Sequence, residues 1–272
     1  MNNIIVGFDF SSGSAKAVDL AIDIANRWQN DIRLVYVKKD ANEDETPICS
    51  EIERRNAAVA HLLKGIKLEY VIREGKVYNE LSAQALEDDA SLIVVGTHGM
   101  SGFRTNWIGR NTYRTITDAP VPVISVREDF NFNKDLENIV VPIDNSAATR
   151  QKVPVAVKFA KTFGSKIHAL GLYTSDNKSV QNIVSGYLDQ VRKFLEKSGV
   201  RFEIVTNTDV NNLTVSTLEY AEKVGADLIV VMTEQEKALN SWFLGNYAQQ
   251  MLNLSTRPVL TICPEQLGSV AR

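Results

Sequence analysis

The chain repeats itself, and the repeat limits what it can fold into. Residues 90–95 read Ala-Ser-Leu-Ile-Val-Val, and residues 226–231 read Ala-Asp-Leu-Ile-Val-Val. Asp9, at the end of an Ile-Ile-Val-Gly-Phe run, matches Asp144, at the end of Ile-Val-Val-Pro-Ile, at an offset of 135 residues. Gly109 matches Gly245, and Pro122-Val-Ile-Ser-Val126 matches Pro258-Val-Leu-Thr-Ile262, both at an offset of 136. Register is therefore kept from end to end with one residue of slippage, and two copies of one domain fit better than a single large one. Boundaries at 1–129 and 136–272 follow, joined by a polar linker over 128–137.

Within each copy, short Val- and Ile-rich runs alternate with longer segments of helical period. Such alternation marks a parallel sheet covered by helices on both faces. Strands are expected near 3–9, 32–38, 67–73, 91–96 and 122–127, with helices near 13–29, 50–64, 77–89 and 109–118. The second half repeats the order, with strands near 138–143, 166–173, 200–206, 227–232 and 258–263. Ser11-Ser12-Gly13-Ser14 is a capping cluster for the first helix, which puts Ala17, Leu20, Ala21, Ile24 and Ala25 on one face. The acidic stretch 39–47 reads as a surface loop.

Composition narrows the function classes. A net charge of −3 and a pI near 5.7 give no reason to expect a nucleic-acid partner. Cys49 and Cys263 lie far apart without metal-ligand spacing, so neither a disulfide frame nor a zinc site is expected. The first residues carry neither a basic leader nor a long apolar run, which points to a cytoplasmic protein without a membrane span.

Chemistry concentrates at one strand end. Gly96 and Gly99 allow a sharp turn and a close backbone approach to an anion, and Gly109, after nine intervening residues, opens a helix whose free N–H groups favour negative charge. Asp9 falls at the carboxyl end of the first strand, where open α/β sheets bind ligands, although a purely local bond to the Ser11 or Ser12 backbone would explain it equally. In the second copy Met232 and Gln235 replace the first two glycines, and Glu234 adds negative charge. That copy is expected to hold no nucleotide, and Asp144 to be structural. His98 can either touch a ligand or face solvent. His61 and His168 have no carboxylate or serine partner in view and read as structural. Trp107 and Trp242, each just before a helix, read as apolar anchors beneath the loop or as a patch at a domain contact rather than as base-stacking groups.

These residues resemble a known family. Val95-Gly-Thr-His-Gly-Met-Ser-Gly-Phe103 with Ile108-Gly109 and Asp118-Ala-Pro-Val-Pro-Val-Ile-Ser-Val126 is similar to the ATP-binding signature of universal stress proteins, G-x2-G-x9-G-[ST]. The starts Phe8-Asp9-Phe10-Ser11 and Val141-Pro-Ile-Asp144-Asn-Ser146 match that family's first strand, so the likeness spans both copies. It implies two tandem Rossmann-like domains of the adenine nucleotide alpha hydrolase-like type, each a five-stranded parallel sheet of order 3-2-1-4-5. It further implies an internal pseudo-dimer through the fifth strands, with a homodimer of chains and a protein partner left open. The implied ligand is ATP, with or without Mg2+. Its binding set is Asp9, Ser11, Val37 beside adenine, Gly96, Thr97, His98, Gly99, Gly109, Arg110, Asn111 and Thr112. One position departs from the pattern. The family's Ser or Thr after the last glycine is Arg110 here, which either pairs with a phosphate or closes the site by its bulk. The expected role is non-catalytic nucleotide binding in a stress response, and the alternative is a nucleotide-free interaction scaffold.

Overall fold

The structure, a computed structural model, describes residues 3–38, 40, 42–97, 108–130, 136–208, 210, 212–233, 235–238 and 241–264. It divides into two units, 1–130 and 131–272.

In the first unit the strands are β1 (Ile4–Gly7), β2 (Ile32–Lys38), β3 (Leu68–Glu74), β4 (Leu92–Gly96) and β5 (Val123–Val126). Helices α1 (Ser12–Trp28), α2 (Glu45–Val59), α3 (Val77–Glu87) and α4 (Arg110–Asp118) alternate with them. Strand order is β3-β2-β1-β4-β5, with every described pairing parallel. The two central strands show why: Ile4 to Val6 and Leu92 to Val95 are buried on both faces, which requires helices above and below. The edge strand β3 is mostly half-buried and ends on Glu74, the polar character that keeps an open edge from pairing with another chain.

The Ser11 side chain caps α1 by accepting the Ser14 N–H, and the helix ends on Gln29 in the left-handed region. Ala17, Leu20, Ala21, Ile24 and Ala25 are all buried as expected. Helix α2 starts earlier than the sequence suggests, within the segment expected to be loop. Asp44 caps it by accepting the Thr46 N–H at 2.9 Å, and Pro47 is tolerated in the first turn, where its missing N–H has no helical partner.

The second unit contains β6 (Asn138–Ile143), α5 (Val153–Phe163), β7 (Lys166–Leu172), α6 (Lys178–Ser198), β8 (Arg201–Asn207), α7 (Leu213–Lys223), β9 (Leu228–Met232), β10 (Gln235–Ala238), β11 (Ser241–Leu244), α8 (Asn246–Leu254) and β12 (Val259–Ile262). Its parallel strands run β8-β7-β6-β9-β12. Strands β10 and β11 form an antiparallel hairpin, Gln235 opposite Leu244 and Ala238 opposite Ser241. The sequence reading missed this hairpin, and Trp242 falls on its second strand. Trp107 and the linker segment 131–135 lie outside the described residues; Phe130 and Leu136, which flank that segment, are buried.

Candidate nucleotide cleft

Strand β1 ends at Gly7, and the chain turns into α1 through Phe8, Asp9 and Phe10. Phe10 has φ 64°, a left-handed conformation that is strained for a bulky residue. Its ring packs 5.1 Å from both Phe8 and Tyr36, centroid to centroid, which holds the turn. Asp9 Oδ1 accepts the Ser11 N–H at 3.2 Å and the Ser11 hydroxyl at 2.5 Å. Asp9 N–H in turn donates to Ser14 Oγ at 3.3 Å. The local bond is therefore made, and made by the same residue that lines the cleft described below.

The glycines have distinct tasks. A Cβ on Gly96 would lie 2.6 Å from the carbonyl carbon of Gly13 and 2.9 Å from Ser14 N, so the missing side chain lets α1's first turn rest on the end of β4. Gly109 N–H donates to the Thr97 carbonyl at 3.0 Å, and a Cβ there would meet that oxygen at 3.2 Å. Thr97 is buried, with its own N–H donating to Val126 O at 2.9 Å. Helix α4 then begins with no side-chain cap and no acidic residue in its first turn, so its first N–H groups are available to an anion. Thr112 is turned inward and donates its hydroxyl to the Gly96 carbonyl at 2.8 Å. Arg110 and Asn111 are exposed.

These elements enclose a cleft of about 350 Å³, within the range of roughly 300–1,000 Å³ usual for small-molecule sites. Its apolar wall includes Val35 and Val37 from β2, Val77 and Leu81 from α3, and Val95 from β4. Its polar rim includes Asp9, Ser11, Gly109, Arg110, Asn111 and Thr112. Of the expected residues, Asp9, Ser11, Val37, Gly96, Gly109, Arg110, Asn111 and Thr112 line it together. Thr97 is not among the lining residues and enters only as a backbone partner of Gly109. His98 and Gly99 lie outside the described residues. The α3 wall went unread in the sequence; Gly7 was its one signal, because a Cβ there would lie 3.2 Å from Leu81 Cδ1.

The second unit repeats the turn but not the cradle. Asp144 Oδ1 accepts the Ser146 N–H at 2.9 Å and its hydroxyl at 2.6 Å, and Asp144 N–H donates to Thr149 Oγ1 at 3.2 Å. Met232 stands where Gly96 stands in the first unit and is buried. Ser12 corresponds to Ala147, yet α5 starts six residues beyond that, at Val153. Thr149 N to Ser146 O, Gln151 N to Ala148 O and Val153 N to Arg150 O form tight three-residue turns instead. The second unit thus carries a side chain at the strand end where the first has none, and its helix lacks the first turn that α1 has. Glu234 lies outside the described residues.

His168 departs from expectation. It is buried on β7 directly opposite Glu203 on β8, with Nδ1 3.0 Å from Tyr220 Oη, Nε2 3.0 Å from Asn138 Oδ1, and Glu203 Oε2 at 3.8 Å. A carboxylate is thus close by, supplied by strand pairing rather than by sequence proximity. Burial first, then the Lys166 ammonium, hold its pKa below the usual imidazole value, with Glu203 opposing. Neither cysteine forms a disulfide.

Fold and cleft together define a class: two α/β domains of one design in one chain, the first with a cleft at the carboxyl ends of its strands. The chain belongs to the universal stress protein family, whose model matches residues 1–127 and 136–262. It is 26% identical over 146 residues to the universal stress protein YxiE of Bacillus subtilis, a match spanning 46% of this chain and 99% of that protein. A universal stress protein of Methanocaldococcus jannaschii is 25% identical over 142 residues, spanning 46% of this chain and 81% of its own length. Among solved structures, one of a universal stress protein from Archaeoglobus fulgidus shares the fold at a TM-score of 0.77 and 18% identity, covering 97% of this chain and 98% of that one. No described helix is long and apolar enough to cross a membrane.

Proposed function

We propose that the first unit binds an adenine nucleotide, ATP, in this cleft, and that the chain is a cytoplasmic, non-catalytic stress-response protein. One observation carries the reading: an apolar wall from β2 and α3 faces an uncapped helix N-terminus across a cleft at the carboxyl ends of the strands. A flat base suits the wall and an anion suits the helix end. Val37 then lies beside adenine, Asp9 and Ser11 at the adenosine end, and Gly109, Arg110, Asn111 and Thr112 around the phosphates, with Thr97, His98 and Gly99 completing the loop. The domains in this reading are 1–129 and 136–272. The second, lacking the cradle, serves as internal partner through the fifth strands, an arrangement that rests on the family resemblance.

The non-catalytic assignment rests on the lining. Phosphoryl transfer needs a positioned nucleophile and charge stabilisation by metal or cation, and the one lining carboxylate, Asp9, is engaged with Ser11. The scaffold alternative requires Arg110 to fill the cleft. An exposed Arg110 beside an open volume of about 350 Å³ favours the nucleotide instead.

Isothermal titration of Mg-ATP into the full chain, beside a Val37→Trp variant verified as folded, tests this. One equivalent bound by the parent, and at least tenfold weaker binding by the variant, is the expected result. No heat from nucleotide-free parent protein would return the chain to the scaffold class.

A further inference from the structure

We propose that Arg110 takes the place of a divalent cation in this cleft, so that the nucleotide is held as a metal-free anion. The inference rests on the nucleotide reading above, and the donor set around the cleft carries it. Mg2+ is usually held by one or two carboxylates together with substrate phosphates, in near-ideal octahedral geometry. Among the described residues Asp9 is the one lining carboxylate, and its Oδ1 already takes two bonds from Ser11. Glu128 is bonded by the Ser12 hydroxyl. Among the described residues no group of three or more His, Cys, Asp and Glu side chains could hold a metal. Residues 98–107 do not alter this balance, because their sequence contains no carboxylate and contributes His98 and Arg104. The residues present do not fit a magnesium site.

They do fit an anion. A hydroxyl has one proton, and that of Thr112 goes to the Gly96 carbonyl, so Thr112 Oγ1 cannot donate to a phosphate. What remains at the helix start is backbone N–H groups, the Asn111 amide and the Arg110 guanidinium. Arg110 occupies the first position of α4, beside the positive end of the helix dipole, where a cation is disfavoured. A bound phosphate reverses that, because it lies between helix end and guanidinium and is attracted by both. Arginine also matches phosphate bidentately. In the second unit, which has no glycine cradle, the matching helix opens on the neutral Asn246.

The test titrates ATP into the full chain and into Arg110→Ala, each in excess EDTA and in excess Mg2+, with circular dichroism confirming the fold. The expected result is a parent affinity that changes less than about threefold between the two conditions. The variant should bind about tenfold or more weakly in EDTA, the loss of charge-assisted hydrogen bonds, and recover part of that in Mg2+. Parent binding that appears only with Mg2+ overturns the inference while leaving the nucleotide reading intact, as does a variant that binds like the parent in EDTA. Absence of binding under every condition overturns both.

Discussion

Gly96 and Gly13 meet backbone to backbone: a Cβ on Gly96 would sit 2.6 Å from the Gly13 carbonyl carbon. No flexible side chain stands between them to yield, so any substituent at residue 96 must push α1 off β4. Overpacking in a tight site costs about 1–3 kcal/mol, and a backbone obstacle places Gly96→Ala at the upper end. Urea unfolding should show the loss as a lowered midpoint. A change below about 0.5 kcal/mol would mean that the helix yields freely.

His168 gives a pH signature. Its pKa in the folded state is held below the usual imidazole value, by burial and then by Lys166. The unfolded chain therefore binds the proton more readily, and stability rises with pH across this window. The His168 contribution is intact above about pH 6.5 and is lost as pH falls below it toward the folded value. The groups facing the ring are Lys166 and Glu203 from β7 and β8, Tyr220 from α7 and Asn138 from β6. Unfolding midpoints measured from pH 8 to pH 5 should decline in the parent and flatten in His168→Gln. An equal decline in both would assign the effect to other groups.

Arg73 ties the edge strand to α3. Its guanidinium donates to Glu80 at 2.8 Å, to Gln84 Oε1 at 2.6 Å and to Glu87 at 2.8 and 3.0 Å. The half-exposed Glu87 is screened by water and contributes little, whereas Gln84 is buried and would be left with an unpaired acceptor. Arg73→Met should cost about 1–2 kcal/mol, and most of that loss should persist in 1 M salt. Complete recovery of the difference at high salt would place the energy in the ion pairs instead.

The strands and α1 were legible because their signals are local. Leu92 to Val95 is a continuous apolar run, and Ser11 caps the helix three residues before Ser14. The Asp–Ser turn was legible for the same reason, in both copies. What escaped reading depended on residues brought together only by folding. The His168–Glu203 pair follows from β7–β8 register. The start of α2 escaped through a different fault, in that the acids at 43–45 looked like loop although Asp44 is a good cap. The α3 wall of the cleft could not be placed because nothing near Leu81 in sequence marks its approach to Gly7.

Asp9 and Asp144 offer a controlled comparison, since each makes the same bonds to a serine two residues on. Replacing either with alanine removes an acceptor from a turn N–H and a hydroxyl, a loss of about 0.5–2 kcal/mol. Asparagine keeps the Oδ1 acceptor, so Asp9→Asn and Asp144→Asn should each unfold within about 0.5 kcal/mol of the parent. The two asparagine variants should then part company on nucleotide affinity, because only Asp9 lines the cleft. Titration is expected to show roughly tenfold weaker ATP binding for Asp9→Asn, the size of one charge-assisted hydrogen bond, and parent-like binding for Asp144→Asn. Equal affinity for both would confine Asp9 to its turn and move recognition of the adenosine end to the β2 and α3 wall.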